Sequence, residues 1–515
     1  FPSHQSTIVS TALLASIGGF DASYRIAADY DAFLQTSLIS DPNELDMEVC
    51  RFHEGGASTS QWARATWEFH RARQRRLAVT GKDALRERVS TLRQFALSAT
   101  YRSPWPLALL LTLATWIIMT LVGVPLANAG LLVLFTAIQT CAGALWWRLV
   151  QPRRSISILE TLGVGLALGT AGAMLSGLVT TWWFVAVLVG AAWWLRMRRS
   201  RLAPLGPLSK PEFLAVLIGF VPGVGAFLWA VRSYPLSWTG LWTGYHGDMP
   251  FFEALAASVA RLGPGASIFM DGAALRYHSL AYGWAGQLTS ATGAEPFVVL
   301  TRLLPLVMLI GAITLAVAWT RRLSESSWAP SLAAMLIVTG GFVGATFGGI
   351  LNFDSPSQSV GVVWLLGLSI IFLRGLNPDV TAWFLLPVGV LGVALTGGKV
   401  STAAIGGFGL GILTLVAFAR REQWRWRAAL ATGVTGVTMV GTYLWLLAGS
   451  ANAGGLNVLG LLDRASSVQG LNPVITNRGV IAGIAILAVA ISFRWAGLAW
   501  LVADPTTRWK PETTY

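Results

Sequence analysis

FVVLTRLLPLVMLIGAITLAVAWTRR, residues 297–322, decides the fold class. Between Phe297 and Trp319 it carries one charge, Arg302. As a helix rising about 1.5 Å per residue, it is long enough for the roughly 30 Å hydrocarbon core of a bilayer. Arg321 and Arg322 close it, as basic residues close spans on a cytoplasmic face.

Similar apolar runs recur. With this one they fall near 105–127, 129–149, 157–178, 181–196, 213–232, 297–319, 329–350, 360–374, 381–397, 402–419, 428–449 and 479–501. The pattern predicts about twelve spans. Charged residues make up 12% of the 515, against roughly 25% in soluble domains. The 24 tryptophans suit aromatic belts at the two interfaces. In span seven, Gly340, Gly344 and Gly348 repeat every four residues, a spacing that lets helices approach closely.

Loop charge orients the bundle. Arg148, Arg153 and Arg154 follow span two; Arg196, Arg198, Arg199, Arg201 and Lys210 follow span four. Arg321 and Arg322, then Arg374, then Arg420, Arg421, Arg425 and Arg427 continue every second loop. This phase predicts a cytoplasmic head and tail. It also assigns the net charge of +13 to anionic lipid and not to nucleic acid. Cys50 and Cys141 are too few for a disulfide framework, and no metal-ligand spacing appears.

Three parts follow: a head over 1–100, a four-helix membrane anchor or connector over 101–204, and a membrane module over 205–515 with an outer loop at 233–296. In the head, residues 62–92 read as helical, with Trp62, Trp67 and Leu77 as apolar points. The opening Phe1 reads as the middle of a domain, so the chain is expected to be truncated at both ends.

Two stretches of the head carry a resemblance. Gly18-Gly19-Phe20-Asp21 leads to Ala28-Asp29-Tyr30-Asp31, preceded by His4-Gln5 and followed by Phe52-His53-Glu54-Gly55-Gly56-Ala57-Ser58. This resembles the acceptor side of family 2 glycosyltransferases of GT-A fold. The resemblance implies a truncated α/β fragment in which Asp29 is the base that deprotonates a sugar hydroxyl. The alternative is that Asp29 caps a helix. The family often has Glu-Asp where this chain has Ala28-Asp29. The nucleotide-binding half and its metal-binding acidic motif are not in the sequence, so the head as given is expected to be inactive. A divalent metal is implied only for an intact GT-A domain, and no cofactor for the chain itself.

From about 205 to 500 the order of parts resembles a GT-C glycosyltransferase: a first helix, a large outer loop bearing an acid, then a surface helix. Here Tyr245-His246-Gly247-Asp248-Met249-Pro250-Phe251-Phe252 opens an amphipathic stretch, 251–262. By position Asp248 matches the catalytic acid of the class. It would take the acceptor's proton while the sugar leaves a polyprenyl phosphate. The other reading is a loop turn or helix cap. His246 would orient the acid or the phosphate, or make an ordinary interfacial hydrogen bond. Asp271, Arg276, Tyr277 and His278 cluster before the next re-entry and would shape the acceptor site, with Asp271 the rival base. Arg302 and Lys399 are the cations for a leaving phosphate; both also lie near enough to the surface to snorkel. Asp354 would support the site, and a late outer loop holds Asp463, Arg464, Asn472 and Arg478.

The expectation is thus a mainly α, polytopic, GT-C-like bundle in a bacterial cytoplasmic (inner) membrane. It would transfer a sugar from a polyprenyl-phosphate lipid to a cell-envelope glycan acceptor. The rivals are a lipid-linked sugar flippase or transporter, a glycan polymerase or ligase, and a non-catalytic scaffold.

Overall fold

The computed structural model describes residues 7–41, 43, 61–77, 80–102, 104–151, 156–176, 205–206, 208–236, 248–262, 275–339, 350–351, 353 and 355–448. These are almost wholly helical. Among them no strand forms, and one parallel bridge joins Ile156 to Leu205. The chain divides into two compact units: residues 1–110 with 206–210, and 111–205 with 211–515.

In the first unit, α1 (Thr11–Ser16), α2 (Ala28–Ser37), α3 (Trp62–Arg76) and α4 (Gly81–Arg102) precede the apolar helix α5 (Pro104–Leu121), which starts in this unit and continues into the second. The α/β expectation for the head gives way to helices throughout the described residues. Residues 62–102 are rich in Arg, Ala and Leu, all good helix formers. The stretch 62–92, expected to be helical, falls in two helices, with Gly81 at φ +57° starting the second. Trp67 and Leu77 are exposed and not core points. The apolar seed is Tyr24, Ala27 and Ala72.

The second unit continues with α6 (Leu126–Val150), α7 (Ile158–Ser176), α8 (Lys210–Ala230), α9 (Met249–Leu262), α10 (Leu280–Thr292) and α11 (Pro296–Leu323). Then come α12 (Ala329–Thr339), α13 (Pro356–Gly375), α14 (Leu385–Gly398), α15 (Val400–Ala419) and α16 (Arg425–Leu446). Among the described residues seven helices are long and apolar enough to cross a membrane: α6, α7, α8, α11, α13, α15 and α16. Three shorter apolar helices are Pro106–Leu121, Ala329–Thr339 and Ala382–Gly398. The expected spans at 181–196 and 479–501, the Gly340–Gly348 repeat and the late outer loop lie outside the described residues. Span eight proves longer than 360–374. Pro356 opens α13 at its first turn, and Ser357 and Ser359, polar in sequence, are buried.

Helices α6 and α7 form the hub. A Cβ at Gly143 would overlap the Gly165 carbonyl, and one at Gly169 would overlap the Gln139 carbonyl, so the two backbones touch. Three fully buried tryptophans dock on this pair. Trp147 Nε1 donates to Glu160 Oε1 (3.2 Å), Trp284 Nε1 to Gln139 Oε1 (2.8 Å) and Trp364 Nε1 to Thr170 Oγ1 (3.0 Å). A buried indole N–H without a partner is costly, so the Trp147 bond ties α6 to α7, and the Trp284 and Trp364 bonds fix where α10 and α13 sit. The stretch set aside in sequence as a connector therefore supplies the interior of this unit, with α7 packed on α10, α11, α13 and α14.

The exposed surface is apolar, as lipid requires. Ile405, Phe408, Leu415, Val437 and Leu444 are all exposed. Exposed tryptophans lie at helix ends: Trp229 in the last turn of α8, Trp328 before α12, Trp426 and Trp445 at the two ends of α16. The three core tryptophans serve packing and cannot belong to an aromatic belt.

Candidate functional site

One end of the second unit gathers the outer-loop residues. Asp248 directly precedes α9. Its backbone carbonyl accepts the Phe252 N–H at 3.0 Å, so it stands at the helix N-cap with its side chain exposed. Helix α9 buries Phe252, Leu255 and Ala256 and leaves Arg261 exposed, the amphipathic pattern expected for 251–262. It packs on α10 and on the turn before it. The Phe251 ring meets Tyr277 edge-on at 5.2 Å, and Phe252 stacks on Tyr282 at 4.9 Å. Tyr277 in turn stacks on His278 at 3.9 Å.

These contacts place Asp248 beside a half-buried aromatic wall. Burial, with the Asp248 charge adding to it, pushes the Tyr277 phenol up to about 12. Burial lowers His278 to about 3, with the Lys399 charge adding to it, so its imidazole is neutral near pH 7. Lys399 joins this end from a different direction. Its Nζ donates to Ser355 Oγ at 3.0 Å, and Ser355 and Ser357 hydroxyls lie 3.5 Å apart. Tyr282 OH reaches Ser357 Oγ at 3.4 Å.

Local sequence explains how Lys399 gets there. Gly397 and Gly398 end α14, and a Cβ on them would overlap Leu280 and the Trp364 ring respectively. Two glycines let α14 close against α10 and α13, so the lysine that follows lands by the 277–282 turn. Two buried hydroxyls flank this region, Ser279 after His278 and Thr402 three residues beyond Lys399. Neither Oγ has a hydrogen-bond partner among the described residues. Glu253 on α9 is a further titratable group; burial, then the charge of Glu295, raises it to about 7. Sequence reading missed Tyr282, Ser355, Ser357 and Glu253, because nothing local marks residues that meet only through packing.

Arg302 takes another role. It is 2% exposed, lies in a widened π turn (Val299–Leu303), and spends its guanidinium on the Tyr234 carbonyl, Thr301 Oγ1 (2.9 Å) and the Val122 carbonyl (3.5 Å). Pro305 offers no N–H to the Thr301 carbonyl, which lets that turn widen. The expected phosphate cation is thus a tie between backbone segments. Arg276, exposed, donates to the Ala448 carbonyl. His246, Asp271 and Asp354 lie outside the described residues.

The opposite end of α13 carries a second cluster. Glu160, 1% exposed, is held by Arg322 Nη2 (3.1 Å), Arg374 Nη2 (3.0 Å) and Trp147. Ser355 precedes the first residue of α13 and Arg374 stands near its last, about 28 Å apart at 1.5 Å per residue.

In the first unit Asp29 lies half-buried in the first turn of α2. Its Oδ1 takes the N–H of the adjacent Tyr30 (2.7 Å), and the cap position is Ala27. The capping acid comes from α3. Glu68 Oε2 accepts the N–H groups of Arg25, Ile26 and Ala27 at 3.1, 2.7 and 3.1 Å. Asp31, fully buried, forms a two-pronged pair with Arg76 at 3.0 and 2.8 Å. Among the described residues no group of His, Cys, Asp and Glu has the arrangement of a metal site. Compared with known proteins, the chain matches no family model, no curated protein and no solved structure.

Proposed function

We propose that this chain is a membrane glycosyltransferase that moves a sugar from a polyprenyl-phosphate lipid to a cell-envelope glycan. The carrying observation is that Asp248, at the head of the helix whose Phe251 packs on Tyr277 at 5.2 Å, and Lys399, 151 residues later and just after Gly397 closes on Leu280, both border the turn at 277–280. An acid and a cation are the two charges this reaction needs. The acceptor hydroxyl gives its proton to the Asp248 carboxylate as its oxygen bonds the anomeric carbon. The bond from that carbon to the phosphate oxygen breaks, and polyprenyl phosphate leaves with the electron pair. Lys399 would steady that phosphate, with the Ser355 hydroxyl it already bonds as a further donor. The half-buried rings of Phe251 and Tyr277, 5.2 Å apart, offer aromatic surface for a sugar ring.

In this reading the site faces outward from a bacterial cytoplasmic membrane, the twelve-span GT-C-like topology holds, and the head is the remnant of a cytoplasmic GT-A domain. Lipid donors suit an outer site because nucleotide sugars stay in the cytoplasm. A transporter would need ionisable groups near the bilayer midplane. The described spans carry theirs toward the ends, as Glu160, Arg302, Arg322 and Arg374 do. Asp248→Asn tests the proposal with labelled polyprenyl-phosphate sugar and purified chain in lipid. Transfer should drop about 10³-fold or more while donor lipid still binds. Undiminished turnover would refute the assignment.

A further inference from the structure

Helix α4 is built inside out for a soluble helix. Its polar residues Glu87 and Thr91 face α3. Glu87 Oε1 takes Arg73 Nε (2.6 Å) and Thr91 Oγ1 (3.0 Å) and meets His70 Nδ1 (3.1 Å), while Arg73 Nη2 donates to Thr91 Oγ1 (3.2 Å). Phe95 packs on Trp62 of α3 at 5.0 Å, but three other apolar residues point away from α3. Leu85, Val89 and Leu92 are 64%, 57% and 68% exposed, and the spacing of four and three puts them in one stripe. Ala96, also exposed, continues that stripe toward the start of α5.

At 100° per residue the exposed Lys82, Arg86 and Arg93 fall along one edge of the stripe and Arg88 along the other. Cationic edges on an apolar stripe match a bilayer surface, where the leucines enter the acyl boundary and the arginines meet lipid phosphates. Continuity argues the same way, since the apolar helix α5 begins at Pro104, two residues beyond the end of α4.

We propose that α4 is a membrane-docking helix that lies on an anionic lipid surface through Leu85, Val89 and Leu92. The docking face rests on this stripe and its basic edges, and it stands or falls apart from the glycosyl-transfer reading. It would tether α3, through Glu87, to the bilayer.

The test uses the full chain with Cys50→Ser and Cys141→Ala, carrying a single cysteine at 85, 89, 92, 90 or 94 labelled with an environment-sensitive dye. It is reconstituted in nanodiscs of phosphatidylcholine with or without phosphatidylglycerol. Spin-labelled lipid should quench the dye at 85, 89 and 92 about threefold more than at 90 and 94, most strongly with phosphatidylglycerol. Replacing Arg86, Arg88 and Arg93 together by Gln should remove that phosphatidylglycerol gain. Equal quenching on both faces overturns docking. So does a stripe shielded from lipid and from aqueous iodide alike, which would mean a protein cover. An undiminished gain in the triple variant overturns the role of anionic lipid.

Discussion

Arg374 grips Glu160 with two prongs, Nε 3.0 Å from Oε1 and Nη2 3.0 Å from Oε2, at the end of α13 far from Lys399. Arg322 of α11 adds two longer bonds to Oε2, and Trp147 of α6 takes Oε1. One carboxylate thus joins four helices. Glu160→Gln leaves two largely enclosed guanidinium groups facing a neutral amide and should cost about 3 kcal/mol, read as a lower unfolding temperature in detergent. Glu160→Gln with Arg374→Gln should cost less than Glu160→Gln alone, because one orphaned cation is gone. A double variant no more stable than the single one would contradict this account.

Gly398→Ala places a methyl against the Trp364 ring, which is fully buried and cannot swing away. Overpacking of this kind costs about 1–3 kcal/mol. Gly172, in α7, has open space where its Cβ would stand, so Gly172→Ala should be neutral or stabilising by up to about 1 kcal/mol. Thermal unfolding of the two variants side by side checks the pair. The Gly398 variant should also lose transfer activity, since the lysine after it would shift.

Helix positions were readable because lipid leaves a strong mark: runs such as 297–319 and 402–419 nearly coincide with helices α11 and α15. Partnerships were not. Glu160 is one acid near the start of an apolar run, and nothing in its neighbours points to Arg322 or Arg374, some 160 and 210 residues away. At the candidate site, Asp248, Tyr277, His278 and Lys399 were readable as polar groups beside spans. Ser355, Ser357 and Tyr282 were not, because serine and tyrosine occur everywhere in such a chain. Among its described residues the head shows helices and no strand, for another reason. Short motifs carried that resemblance, while the composition of 62–102 favours helix.

Glu253 predicts a pH effect. Burial and Glu295 raise its carboxyl from 4.5 to about 7 in the folded chain. Between those values the folded form holds a proton that the unfolded form has lost, so stability falls as pH rises through that window and levels above it. The residue is partly exposed, so solvent screening reduces the effect to about 1 kcal/mol. Glu253→Gln should flatten the slope of unfolding temperature between pH 5 and about 7 and make the chain more stable than wild type at about pH 8. An unaltered slope would exclude Glu253 as its source.

Glu68 predicts a local effect in the first unit. Its carboxylate holds three successive amides before α2, and Arg64, beside it at 3.3 Å, is half exposed and adds little. Glu68→Ala should cost about 1–3 kcal/mol. Hydrogen exchange at Arg25, Ile26 and Ala27 should rise about tenfold or more, with the amides around Glu160 unaffected.

Arg302 and Lys399 look alike in sequence, each one cation near the outer edge of a span, and the structure separates them. Arg302 is enclosed and bonded to two backbone carbonyls and Thr301, so it has no reach toward a ligand. Lys399 is half-buried, and among the described residues its ammonium bonds the Ser355 hydroxyl, a bond that a phosphate oxygen could replace. Arg302→Gln should therefore lower the unfolding temperature, because buried carbonyls lose their donor, and leave the donor-lipid KM near wild type in the protein that remains folded. Lys399→Gln should do the reverse, with a donor KM about tenfold higher and little change in unfolding temperature. Lys399→Arg should recover part of the loss, since a guanidinium keeps the charge with a different shape. If Arg302→Gln raised the donor KM and Lys399→Gln did not, the phosphate would belong at the other cation, and the site would have to be rebuilt around the turn at Val299–Leu303.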